Sequence, residues 1–75
     1  MVKIRLLDTV ALLEDIEVEG IAFTRGTVGA VVEALAPDVF EVEFCDEQGH
    51  TLAFASLYAN QLLPLHPPRS VSSIA

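Results

Sequence analysis

The 75-residue sequence predicts an all-β domain: a small five-stranded SH3-like barrel with one short helical turn before the last strand. Three observations predict it. Apolar residues recur in short runs of strand type, with no long helical period and no helix caps. Turn signals at Gly20, Arg25-Gly26, Pro37-Asp38 and Asp46-Glu47-Gln48-Gly49 separate the runs. A long acidic segment follows the first run, where such a barrel carries its long first loop. Closing so small a sheet on itself hides most of its edges.

The first strand is expected over Ile4–Leu13. In the acidic group Glu14, Asp15, Glu17 and Glu19, Ile16 and Val18 alternate with Asp15, Glu17 and Glu19, which suits an extended ribbon with one wet face. Gly20 then breaks the run. The second strand is expected over Thr27–Leu35, rich in β-branched residues. Val28, Ala30, Val32 and Ala34 share one face; Thr27, Gly29, Val31 and Glu33 share the other. Gly29 inside it signals a bulge or a close backbone approach. The third strand, Val39–Cys45, alternates most clearly, with Phe40, Val42 and Phe44 opposed to Glu41, Glu43 and Cys45. Asp46–Gly49 makes a tight hairpin turn with Gly49 in the left-handed position. Thr51–Leu57 returns antiparallel, Tyr58–Gln61 forms one helical turn, and Leu62–Leu65 is a last short strand. Residues 1–65 form the domain. Residues 66–75, opening with His66-Pro67-Pro68-Arg69, form a tail of linker composition. A three-stranded sheet with a helix over Val2–Leu13 is the alternative, disfavoured by Thr9, Val10 and the missing cap.

Four Lys and Arg stand against eleven Asp and Glu, a formal net charge of −7. A chain that is 52 % hydrophobic is not a disordered acidic tail. Its charge repels phosphate, so direct nucleic-acid binding is not expected. No apolar run reaches the length of a membrane span, and Asp8, Glu14 and Asp15 interrupt the N-terminal apolar stretch where a signal peptide would need none; a cytoplasmic location is expected. One cysteine allows no internal disulfide and no cysteine-based zinc site. A chain this short buries only about 60 % of its unfolded surface, so either the strands pack very economically or a partner covers part of the apolar surface.

The segments Leu7-Asp8-Thr9-Val10-Ala11-Leu12-Leu13-Glu14-Asp15, Arg25-Gly26-Thr27-Val28-Gly29-Ala30-Val31-Val32-Glu33, Glu41-Val42-Glu43-Phe44 with Asp46 and Gly49, and Gln61-Leu62-Leu63-Pro64-Leu65 together resemble a bacterial domain of unknown function, numbered four-nine-two-six. The likeness runs from about Ile4 to Leu65. It implies a partner-binding role, in the manner of toxin–antitoxin or immunity pairs, and supplies no catalytic residues. Gly26-Thr27-Val28-Gly29-Ala30-Val31-Val32 is more loosely similar to KOW-type SH3-like modules, whose loops are usually basic where these are acidic. Small photosynthetic docking subunits share the layout, but they bind acidic carriers, which this charge repels.

Two groups are candidates for partner binding. Glu14, Asp15, Glu17 and Glu19 form either a solvated loop or a docking surface for a basic, toxin-like protein. Leu52 and Phe54 lie on the strand face opposite Ala53, Ala55 and Leu57. One of those faces must look outward, because a barrel has one interior. Leu52 and Phe54 are then either covered by Ile21, Ala22, Phe23 or the tail, or form a contact patch for a partner or a second copy. Other groups carry less. Asp46 and Glu47 disfavour a thiolate at Cys45. His50 beside Asp46 and Glu47 reads as a solvated turn histidine in preference to a metal ligand. Glu33, Glu41 and Glu43 read as a solvated strand face, and Asn60 and Gln61 as braces of the final turn. No catalytic residue, metal or cofactor is expected. The expected role is therefore non-catalytic binding of another protein; a KOW-like accessory module and a docking subunit of a redox complex are the alternatives.

Overall fold

Seven strands and one 3-10 turn make up the computed structural model, which describes residues 3–65. They are β1 (Thr9–Leu12), β2 (Ile16–Val18), β3 (Ile21–Phe23), β4 (Val28–Ala36), β5 (Val39–Cys45), β6 (Thr51–Tyr58), the turn Ala59–Gln61, and β7 (Leu62–Pro64). Five strands form one sheet in the order β6-β5-β4-β1-β7, and β2 and β3 form a separate two-stranded ribbon. Every pairing is antiparallel. The all-β class and the five-stranded sheet match expectation. Among the described residues no strand pairing joins β6 to β7, so the hydrogen-bonded sheet is open, with those two strands at its edges. The expected tail at 66–75 lies outside the described residues.

The core follows from strand alternation. Phe40, Val42 and Phe44 on β5 point inward with Ala53, Ala55 and Leu57 on β6, Val31 on β4, Val10 and Leu12 on β1, and Leu62 on β7. The ribbon closes over them. Phe23 stacks on Phe44 with ring centroids 4.7 Å apart, and Ile16 and Val18 pack against the same cluster. Glu19 and Gly20, both at positive φ (51° and 82°), make the two-residue turn that joins β2 to β3. The ribbon was legible as extended chain, but Gly20 turns it into a hairpin where sequence alone suggested only a break.

Gly29 explains how β4 passes so close to β5. A Cβ there would lie 2.7 Å from Val42 Cγ1, 2.9 Å from the Glu43 carbonyl oxygen and 2.9 Å from Phe44 Cε1. Of the two expected options, this is a close backbone approach; the register shifts fall further along, between Val31 and Glu33 and between Ala34 and Ala36. The first of these shifts moves Glu33, expected on the face of Val31, opposite Glu41 on the outer face, and bulges of this kind bend a strand.

Several boundaries need correction: the second expected strand, Thr27–Leu35, lies one residue further along at Val28–Ala36, and the first ends at Leu12, one residue before the expected Leu13. The first strand begins at Thr9, well after the expected Ile4. The Asp8 carboxylate accepts a hydrogen bond from the Arg5 amide at 2.8 Å, and Leu7 sits at φ 71°. That local capture turns the chain before Thr9 and leaves Leu7 83 % exposed. β6 extends one residue further than expected, to Tyr58, and β7 stops at Pro64. The Asp46–Gly49 turn forms as expected: the Gly49 amide bonds the Asp46 carbonyl at 3.0 Å, with Gly49 at φ 87°.

Candidate partner-binding surface

The acidic segment divides by function. Glu14 accepts a hydrogen bond from Gln61 Nε2 at 3.0 Å, which ties the end of β1 to the 3-10 turn. Asp15 Oδ1 accepts from the Arg25 amide at 2.7 Å and fastens the base of the ribbon. Both carboxylates thus have structural partners. Glu17 on β2 and Glu19 in the turn are exposed, and their carboxylates have no hydrogen bond or ion pair among the described residues. Gln61 braces the turn as expected, its side-chain oxygen accepting from the Tyr58 amide at 2.8 Å.

Leu52 and Phe54 point away from the core. Along β6 the exposed residues Leu52, Phe54, Ser56 and Tyr58 alternate with buried Ala53, Ala55 and Leu57. Leu52 is 43 % exposed, Phe54 49 % and Tyr58 58 %. Ile21 and Ala22 are themselves exposed, and Phe23 is spent on the inner side against Phe44, so none of the three buries this pair. The ribbon packs on the inner face of the sheet, whereas Leu52 and Phe54 stand on the outer face. The two halves of the expected surface are therefore on opposite sides of the sheet.

The outer face supplies its own charge. Register sets Phe54 opposite Glu43, Ser56 opposite Glu41, and Glu41 opposite Glu33 on β4. The Thr51 hydroxyl donates to a Glu43 carboxylate oxygen. Among the described residues no Lys or Arg forms an ion pair with a carboxylate; the single close pair of opposite type is His50 Nδ1 with Asp46 Oδ2 at 3.3 Å. Like charges directly across a sheet cost stability, and here no cation offsets them. The sequence places these three glutamates near one another as a solvated strand face, and the register bears out the neighbourhood of Glu33 and Glu41. The pairing of Phe54 with Glu43 depends on the register shift between Phe44 and Cys45, which the four-residue turn by itself does not foretell.

Local desolvation, and then the Glu43 carboxylate, push the exposed Cys45 thiol above its ordinary value. Asp46 is held below the ordinary carboxylate range, chiefly by the backbone amide of His50, with the Gln48 amide and the His50 ring adding to it. Two shallow apolar grooves, about 470 and 400 Å³, meet at Ile4 and Ala59. Lys3 and Asp38 are the ionisable residues lining the first, and none lines the second.

These features define a small all-β domain whose five-stranded sheet exposes aromatic and acidic side chains together. The chain belongs to the family described as domain of unknown function (DUF4926), whose model matches residues 6–64, as the sequence resemblance implied. No curated protein and no solved structure matches it.

Proposed function

We propose that this chain is a non-catalytic protein-binding module on an SH3-like barrel, and that the outer face of β4, β5 and β6 docks a basic protein. Supporting the barrel are the five antiparallel strands, the long ribbon inserted after the first, and the 3-10 turn before the last. The observation that carries the binding role is Phe54. It is a half-exposed aromatic ring beside Glu43, one row from the Glu41–Glu33 pair, on a face with no compensating Lys or Arg ion pair among the described residues. Exposed apolar surface joined to charge of one sign suits a partner with apolar and cationic groups. Glu17 and Glu19, on the other side, add long-range attraction that speeds encounter without entering the contact.

The most specific form of the reading is an antitoxin or immunity-type protein of a bacterial two-gene unit, acting in the cytoplasm. A nuclease-like toxin has a basic cleft for nucleic acid, and an acidic face of this kind competes for it. The test is a tagged pull-down from the native cell at low salt, read by mass spectrometry. A stoichiometric basic companion, absent when Phe54→Ser is the bait, supports the reading. A companion that Phe54→Ser retains, or direct nucleic-acid binding at physiological salt, overturns it.

A further inference from the structure

We propose that β6 is an acceptor edge, to which an extended Lys- or Arg-rich segment of the partner adds as a further strand. This rests on the reading of a basic protein partner and specifies how that partner is held. The two edges of the sheet differ. β7 has three residues and ends in Pro64, which blunts it. β6 has eight residues, Thr51–Tyr58, with no charged residue and no proline among them. Its one irregularity is the register shift near its start, between Phe44 and Cys45 on the partner strand. At strand rise it offers about 26 Å of edge. Among the described residues β6 pairs with β5 alone, and the β2–β3 ribbon lies against it without strand pairing. Sheet edges are ordinarily protected by charge, proline or short length. An unprotected edge of this length is a template for main-chain hydrogen bonding, and added strands use such edges.

The side chains state what the added strand carries. Its outward residues would lie about 4.5–5.5 Å from Leu52, Phe54, Ser56 and Tyr58. A Lys or Arg in those places lays its aliphatic stem or guanidinium on the Phe54 or Tyr58 ring, within the roughly 6 Å of a cation–π contact. Its charged end then reaches toward Glu43 and Glu41, one strand further in, which stand opposite Phe54 and Ser56. A second copy of this chain pairing through β6 would bring two sets of these carboxylates, and two chains each of charge −7, onto one sheet. Charge therefore favours the basic segment over self-pairing.

The experiment uses the full chain, isotope-labelled, with an acetylated and amidated octapeptide that alternates Lys and Val. Two controls accompany it: the Glu–Val counterpart, and the Lys–Val peptide N-methylated at alternate amides. At low salt the Lys–Val peptide should bind, shift β6 resonances and slow hydrogen exchange at alternate amides between Leu52 and Leu57. N-methylation leaves charge unchanged and should weaken binding about tenfold, the loss of one or two net hydrogen bonds. Equal binding of the N-methylated peptide, shifts centred on Glu17 and Glu19, no binding at about 1 mM, or self-association through β6 would each overturn the proposal. Its failure is separable from that of the docking surface. If Phe54→Ser loses the cellular companion while the peptide result is negative, the face stands and strand addition falls. If Phe54→Ser keeps the companion, the face itself falls.

Discussion

Phe44 and Phe54 are the same residue type on paired strands, yet they should respond oppositely to truncation. Phe44 is 1 % exposed and stacked on Phe23. Removing a buried Phe costs about 3–5 kcal/mol. A domain of this size has roughly 4–10 kcal/mol in total. Phe44→Ala should therefore lower the melting temperature by at least about 12 °C, or leave the chain unfolded at 37 °C, at about 4–8 °C per kcal/mol. Phe54 is 49 % exposed, so about half of the 1.5–3 kcal/mol available to a buried aromatic is at stake in Phe54→Ser, about 1 kcal/mol. That variant should keep its circular dichroism spectrum, melt only a few degrees lower, and lose the companion. Thermal melts of the three proteins at one concentration, beside pull-downs at low salt, provide both readings. If Phe54→Ser unfolded like Phe44→Ala, Phe54 would be core and the assignment of the outer face would collapse.

Other outcomes follow from named contacts. Gly29→Ala must push aside Val42, Phe44 and the Glu43 carbonyl, so a loss near the upper end of the 1–3 kcal/mol typical of overpacking, about 3 kcal/mol, is expected in urea unfolding; an unchanged midpoint would mean that β4 and β5 lie further apart. The Asp46 carboxyl is more acidic folded than unfolded, so its stabilising effect is complete above the unfolded value near 3.8 and is lost as pH falls through the lower folded value. The stability gap between the parent protein and Asp46→Ala should accordingly narrow on acidification from about pH 5 to about pH 2; a gap that does not change with pH would exclude the carboxylate as the cause. Glu17→Gln with Glu19→Gln should slow association and flatten its salt dependence while leaving dissociation unchanged, measured by surface plasmon resonance; a faster dissociation would put these residues inside the contact.

Legibility in the sequence tracked how local the governing physics is. β5 was readable to the residue because Pro37-Asp38 and Asp46–Gly49 bound a clean two-residue alternation. Gly29 was readable as a special position because a glycine amid β-branched residues has few other uses. The first strand was overextended because Ile4, Leu6 and Leu7 look apolar, while Asp8 captures the Arg5 amide and Leu7 turns left-handed, neither of which leaves a hydrophobic period. The ribbon was half readable: Ile16 and Val18 alternate, but a Glu19-Gly20 turn is a weaker hairpin signal than Asn-Gly, and strands of three residues carry little pattern. Leu52 and Phe54 were found from alternation alone. The grouping of Glu33 with Glu41 and Glu43 was legible too, but the placing of Phe54 beside Glu43 was not, since it depends on the register shift at the start of β6.

The most direct measurement compares two charge reversals in calorimetric titration of the purified companion at physiological salt. Glu41→Lys with Glu43→Lys changes the outer face, and Glu17→Lys with Glu19→Lys changes the ribbon by the same charge. The account predicts that the first pair weakens affinity by about a hundredfold or more, the scale of desolvated charge contacts, and the second by only a few-fold. The reverse order, with the ribbon decisive and the sheet face dispensable, would contradict it.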